Sequence, residues 1–110
     1  MNNRLFVLKM PAVLAVILLL SSNLSAQIST SKIEGVVRDK DTGQPLQGAQ
    51  VLVEGTRLGN VTNADGYYFI LNASPGRRDI VFTYTGYQKT TVSGVLLLAG
   101  QTATVNAALS

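Results

Sequence analysis

The chain of 110 residues predicts an all-β fold: an antiparallel two-sheet sandwich of about seven strands, preceded by a cleaved signal peptide. Three observations carry this. Nothing after Ala26 repeats with a helical period. Short runs rich in Val, Ile, Thr, Tyr and Phe alternate with Gly, Asn, Asp and Pro clusters at a spacing of roughly ten residues, which is the pattern of a sandwich or barrel. Each sheet so formed has one apolar face that must be buried against another layer.

The first 26 residues read as an address. Arg4 and Lys9 make a positive opening, Met10 to Leu20 is an uncharged apolar run, and Ser21 to Ala26 is a short stretch ending in a small residue. That layout is a secretory signal peptide cut after Ala26. The apolar run is too short for a transmembrane helix, which needs about 20 residues. No cysteine follows it, so a lipoprotein anchor is excluded.

Residues 27–32 (QISTSK) are polar and read as a flexible lead-in, and 33–109 as the folded domain. Ile33 to Arg38 is the first strand, with Ile33, Gly35 and Val37 on one face. A turn-rich loop, Asp39 to Gly48, follows: Asp mimics a backbone turn, Gly takes positive φ and Pro fixes its own. Ala49 to Glu54 is the second strand, with Ala49, Val51 and Val53 inward. Val61 and Thr62 form a short third. Asn63 to Gly66 is expected to be a type I′ hairpin turn, because an Asp-Gly pair lies between apolar runs. Tyr67 to Leu71 is the fourth strand, and here both faces are apolar, so periodicity leaves the inward face open. Asp79 to Tyr84, Lys89 to Leu97 and Thr102 to Leu109 complete the set. The last aligns Ala103, Val105, Ala107 and Leu109.

Composition removes several chemistries. The chain has no cysteine and no histidine. Disulfides, thiolate metal sites, imidazole ligands and the commonest general base are therefore excluded. Ser, Thr and Lys remain as nucleophiles with no imidazole to activate them, and the acids sit mainly in turns and on outward strand positions. No catalytic, cofactor-binding or metal-binding residues are assigned, and the chain is read as non-enzymatic. Once Arg4 and Lys9 are removed, seven basic residues face six acidic ones. A net +1 offers no footprint for nucleic acid. Asp39-Lys-Asp41-Thr-Gly43 opens like a calcium loop, but its glycine falls at position five and Gln50 stands where a bidentate Glu is required, so it reads as a solvated turn. Tyr67 and Tyr87 each stand beside a turn glycine. They are the aromatics expected at the surface, where they would offer stacking contacts to a carbohydrate.

Several landmarks fall in a familiar order: Gly35-Val-Val-Arg-Asp39, Thr42-Gly-Gln-Pro45-Leu-Gln-Gly48-Ala-Gln-Val51, Gly55-Thr56, Thr62-Asn-Ala-Asp65-Gly66-Tyr-Tyr68, Pro75-Gly76 and Gly86-Tyr87. Together they resemble the carboxypeptidase regulatory-like domain over Ile33 to Leu109. The resemblance implies a transthyretin-like (prealbumin-like) sandwich without a cofactor. One position departs: the family usually carries an aromatic residue two places after Pro75-Gly76, and here Arg78 stands.

The resemblance implies two settings, behind the zinc domain of metallocarboxypeptidases or at the N-terminus of TonB-dependent outer-membrane receptors, directly after the signal peptide. The second matches the leader found here. It implies a non-catalytic accessory domain for docking or assembly on the periplasmic face of the outer membrane. Its partner would be a periplasmic protein or the plug and barrel that follow in such receptors. Fragment, truncated product and complete single-domain protein stay open. So do an independent exported sandwich that binds a polysaccharide or a surface partner and, third, an appendage of a metallocarboxypeptidase. Mass spectrometry of the chain recovered from an exporting bacterial host should find a mature N-terminus at Gln27; a species retaining Met10 to Leu20 would overturn the leader assignment.

Overall fold

The computed structural model describes residues 29–110; the signal-peptide assignment and the first two lead-in residues lie outside them. Eight strands follow: β1 (Ser31–Asp39), β2 (Gln50–Val53), β3 (Gly59–Val61), β4 (Tyr67–Ala73), β5 (Gly76–Thr83), β6 (Thr90–Leu97), β7 (Thr102–Thr104) and β8 (Ala107–Leu109). They form two four-stranded sheets. The first has the order β4-β1-β7, with β8 also on β1, and the second β3-β2-β5-β6. The expected sandwich is present.

Strand alternation places the core between the sheets. Ile33 and Val37 of β1, Val51 and Val53 of β2, Tyr68 and Ile70 of β4, and Ile80 and Phe82 of β5 are all buried, with Leu97, Val105 and Leu109. The face of β4 that periodicity left open is thereby settled: Tyr68 and Ile70 point inward, Phe69 and Leu71 outward. Tyr68 meets Phe82 across the core edge-on, with ring centroids 5.8 Å apart, the arrangement the ring quadrupoles favour.

β3 lies at Gly59–Val61 rather than at Val61 and Thr62, and β4 runs on to Ala73; four further details differ from the sequence reading. β1 begins at Ser31, so Ser31 and Lys32 are strand rather than lead-in; the buried Ser31 hydroxyl donates to the Leu98 carbonyl. β5 begins at Gly76 instead of Asp79. At its start Arg78, in the place of the family's aromatic, folds back and donates to the Ser74 and Pro75 carbonyls. The last predicted strand is two short strands, and both pair parallel to β1. The first sheet is therefore mixed.

The fourth difference is the Asn63–Gly66 turn. It joins strands of different sheets, because β3 pairs with β2 and β4 with β1. A type I′ turn needs positive φ at both central residues, and Asp65 does not adopt it. Instead the Asn63 side chain takes over: its Oδ1 accepts from the Asp65 and Tyr67 amides, while the Gly66 amide donates to the Asn63 carbonyl. Gly66 itself has φ +74, and a Cβ there would stand 2.5 Å from the Val37 carbonyl. Just upstream, the buried Thr62 hydroxyl donates to the Leu46 carbonyl and accepts from the Ala49 amide. That pair of bonds pins the Gln44–Ala49 loop to the sandwich.

The break between β7 and β8 has an equally local cause. Val105 turns its carbonyl onto Gly35, where a Cβ would lie only 1.9 Å from the oxygen. Tyr68, the cross-strand partner of Gly35, donates its hydroxyl to that same carbonyl at 2.6 Å. The Val105 amide donates to the Glu34 carbonyl, and Asn106 Oδ1 accepts from the Val36 amide. Gly35→Ala should therefore cost about 3 kcal/mol or more, an overpacking penalty added to disrupted bonds. Tyr68→Phe keeps the ring and should cost about 1–3 kcal/mol. Urea unfolding of both variants checks this; a Gly35→Ala midpoint equal to that of the parent would show that the crossing tolerates a side chain.

Candidate functional site

Sheet periodicity puts alternate side chains of β1 and β4 on the outer face of the first sheet, and there a polar-apolar cluster forms. The Tyr67 hydroxyl donates to Glu34 Oε2 at 2.7 Å, and Lys32 Nζ lies 3.4 Å from the same oxygen. The Lys32 ammonium also stands 5.7 Å above the Phe69 ring, within cation–π range. The Tyr67 and Phe69 centroids are 6.3 Å apart, tilted by 36°. Leu71 continues the apolar row, and Phe69 and Leu71 are 41% and 51% exposed. Thr102 and Thr104, in parallel register with Lys32 and Glu34, flank the cluster on the far side. The Tyr67 hydroxyl, and secondarily Lys32, hold the Glu34 carboxyl below its usual range, and the same bond raises Tyr67.

Tyr87 lies elsewhere. It packs edge-on against Tyr84, with centroids 5.4 Å apart, and leans on the rim of the core. Its hydroxyl donates to Asp39 Oδ2 at 2.6 Å. The other Asp39 oxygen accepts from the Asp41 and Thr42 amides, so the loop that opens like a calcium site is held as a turn by its own backbone. The Tyr87 hydroxyl, followed by the Thr42 and Asp41 amides, lowers the Asp39 carboxyl, while Tyr87 is raised. An open groove of about 340 Å³ runs beside Tyr84 and Tyr87, lined also by Gln50, Thr83 and Lys89.

The two tyrosines named from the sequence are thus not brought together, and neither is fully exposed; both are half-buried and tied to a carboxylate. The more accessible ring of the cluster is Phe69, which sequence reasoning passed over. The signal was present in Tyr67-Phe69-Leu71: a second apolar face on a strand whose first face already fills the core. The second sheet has a comparable outer face, where Leu52 and Val61 are exposed beside Gln50, Val81 and Thr83 in a shallow groove without a charged residue. Among the described residues no three acidic, cysteine or histidine side chains gather as metal ligands, and no buried side-chain polar atom lacks a partner.

A transthyretin-like sandwich with exposed apolar residues on both outer faces is the class these features define. The chain belongs to the carboxypeptidase regulatory-like domain family, whose model matches residues 32–110. It is 37% identical over 67 residues to the TonB-dependent receptor P39 of Formosa agariphila, a match covering 61% of this chain and 6% of the receptor. With the TonB-dependent receptor SusC of Bacteroides thetaiotaomicron it shares 45% identity over 56 residues, 51% of this chain and 5% of that one. The chain thus matches only a small part of these receptors' length. Among solved structures, the fold is similar to one in a type II cohesin–X-dockerin complex from Acetivibrio cellulolyticus, with a TM-score of 0.61 and 20% identity over 70% of this chain and 52% of that one. It is also similar to Klebsiella pneumoniae 5-hydroxyisourate hydrolase, with a TM-score of 0.51 and 19% identity over 74% of this chain and 95% of the hydrolase. At such identities the likeness concerns the fold.

The lowered carboxylates set an acid dependence. Glu34 and Asp39 contribute stability that is complete above the ordinary carboxylate range and is lost as pH falls through their lowered values. Thermal melts between about pH 5 and pH 2 should show this decline, and a Tyr67→Phe/Tyr87→Phe double variant should flatten it. An unchanged slope in the double variant would mean that the tyrosine hydroxyls do not hold these carboxylates.

Proposed function

We propose that this chain is a non-catalytic accessory domain at the N-terminus of a TonB-dependent outer-membrane receptor, exported to the periplasmic face and used for docking or assembly. The observation that carries the reading is the identity to two such receptors over a segment that makes up only 6% and 5% of their lengths. The surface supports it. Exposed Phe69 and Leu71 on one sheet and Leu52 and Val61 on the other suit contact with a protein partner or with the plug and barrel of the receptor. A non-catalytic role accords with a chain that has neither histidine nor cysteine and whose Glu34 and Asp39 carboxylates already accept tyrosine hydroxyls.

Deleting residues 33–109 from the receptor that carries them should leave the barrel inserted, because a barrel closes on its own hydrogen bonds. Uptake should fall or change its dependence on the energising complex. The exported chain should retain a periplasmic or inner-membrane protein weakly in pull-downs, in keeping with the modest interface so small a domain offers. A second reading, contact with a polysaccharide, is favoured by the Tyr67–Phe69 pair beside the Glu34 and Lys32 hydrogen-bonding groups. Unchanged uptake on deletion, together with retention on a polysaccharide column that Phe69→Ala abolishes, would replace the first reading by the second.

A further inference from the structure

We propose that the domain is built to resist stretching along one axis: force applied between residue 30 and residue 110 is carried in shear by the parallel ladder that β1 makes with β7 and β8. This rests on topology and stands apart from the receptor reading. The first strand of the fold and the last two run in the same direction, in the registers Lys32↔Thr102, Ile33↔Ala103 and Glu34↔Thr104, then Val37↔Ala107, Arg38↔Ala108 and Asp39↔Leu109. The chain therefore enters at one end of the ladder and leaves at the other. At the entry the Lys32 amide donates to the Gln101 carbonyl and the Gly100 amide to that of Thr30; at the exit the Lys40 amide donates to Leu109 and the Gln88 amide to Ser110. The two ends are separated by the length of β1, roughly 25–30 Å for a nine-residue strand.

Pulling residues 30 and 110 apart drags β1 backward and β7–β8 forward along their shared axis. The evenly spaced bonds of a parallel pair are then loaded together, whereas a force across the ladder would open them one at a time. Resistance to forced opening is governed by the unfolding barrier rather than by overall stability, so the direction of the load matters.

The crossing at Val105 adds a catch. Its carbonyl occupies the space above Gly35, where a Cβ would be 1.9 Å away, and Gly35 is the only glycine of β1. Side chains in a strand alternate between faces, so a two-residue slip in the direction of the load brings Val37 under that carbonyl. Val37 is fully buried as it stands, and its isopropyl group cannot enter a space that rejects a methyl. The Tyr68 hydroxyl, bonded to the same carbonyl from the next strand, holds the catch in place. β1 therefore cannot creep along its neighbours; it must break from them in one event.

Because the chain lacks cysteine, introduced pairs place force handles unambiguously. Ser29→Cys with Ser110→Cys loads the ladder in shear, and Lys40→Cys with Ser110→Cys peels β8 from β1 at the shared end. In single-molecule pulling at equal loading rate, the first pair should rupture at several-fold higher force than the second. It should do so in one step that releases residues 29–110 together, about 280 Å of chain less the folded separation. Tyr68→Phe should lower the force of the first pair and leave that of the second unchanged. Equal rupture forces for the two pairs, or an early step in the first that releases only the residues from Gln101 onward, would overturn the proposal.

Discussion

The Val105 carbonyl seated on Gly35 is the contact on which the rest of the sandwich depends. It forces the last predicted strand to break, sends its two halves onto the same flank of β1, and gives the buried Tyr68 hydroxyl its acceptor. Burial pushes that phenol well above its usual range, so at ordinary pH it remains a donor. Three residues far apart in the sequence, Gly35, Tyr68 and Val105, are thus parts of one packing solution. Around it the small core closes with the Tyr68–Phe82 edge contact and the aliphatic residues of β2, β5 and β8.

The alternation of apolar and polar residues made the sandwich and most strand positions legible. It carries no direction, however, so the parallel pairing of β7 and β8 with β1 was not readable, and neither was the break at Val105. Alternation also fails where a strand is apolar on both faces: the inward face of β4 is decided by Gly35 opposite Tyr68, a long-range fact. At Asn63–Gly66 the dipeptide signal was overridden by a side chain, since an asparagine able to accept two amides favours a different turn from the one Asp-Gly alone would select. Ser31 reads as a linker residue because its hydroxyl is polar; in the fold it is buried and donates to the Leu98 carbonyl.

The surface was less legible than the fold. Tyr67 was recognised through its neighbour Gly66, but its setting beside Lys32, Glu34 and Phe69 arises from cross-strand register between segments more than thirty residues apart. Tyr87 looked like a free ring beside a turn and is half-buried, because Asp39 and Tyr84 converge on it from other parts of the chain. The functional assignment owes more to the family landmarks than to any single side chain.

The sandwich also guards its flanks. Asn60 Nδ2 donates to the Phe69 carbonyl on the outer edge of β4, and a bulge at Asn72, with φ 64, bends the end of that strand. Across the molecule Arg77 donates to the Gly94 carbonyl, and a second bulge opposite Asp79 interrupts β6. Such devices deny a neighbouring chain an uninterrupted row of backbone groups. Strand donation, in which an extended peptide prolongs a sheet through its main chain, is therefore disfavoured at both flanks. Exposed apolar side chains sit instead on the broad faces, Phe69 and Leu71 on one and Leu52 and Val61 on the other. Those surface positions can change by substitution while the hydrogen-bonded frame beneath stays as it is.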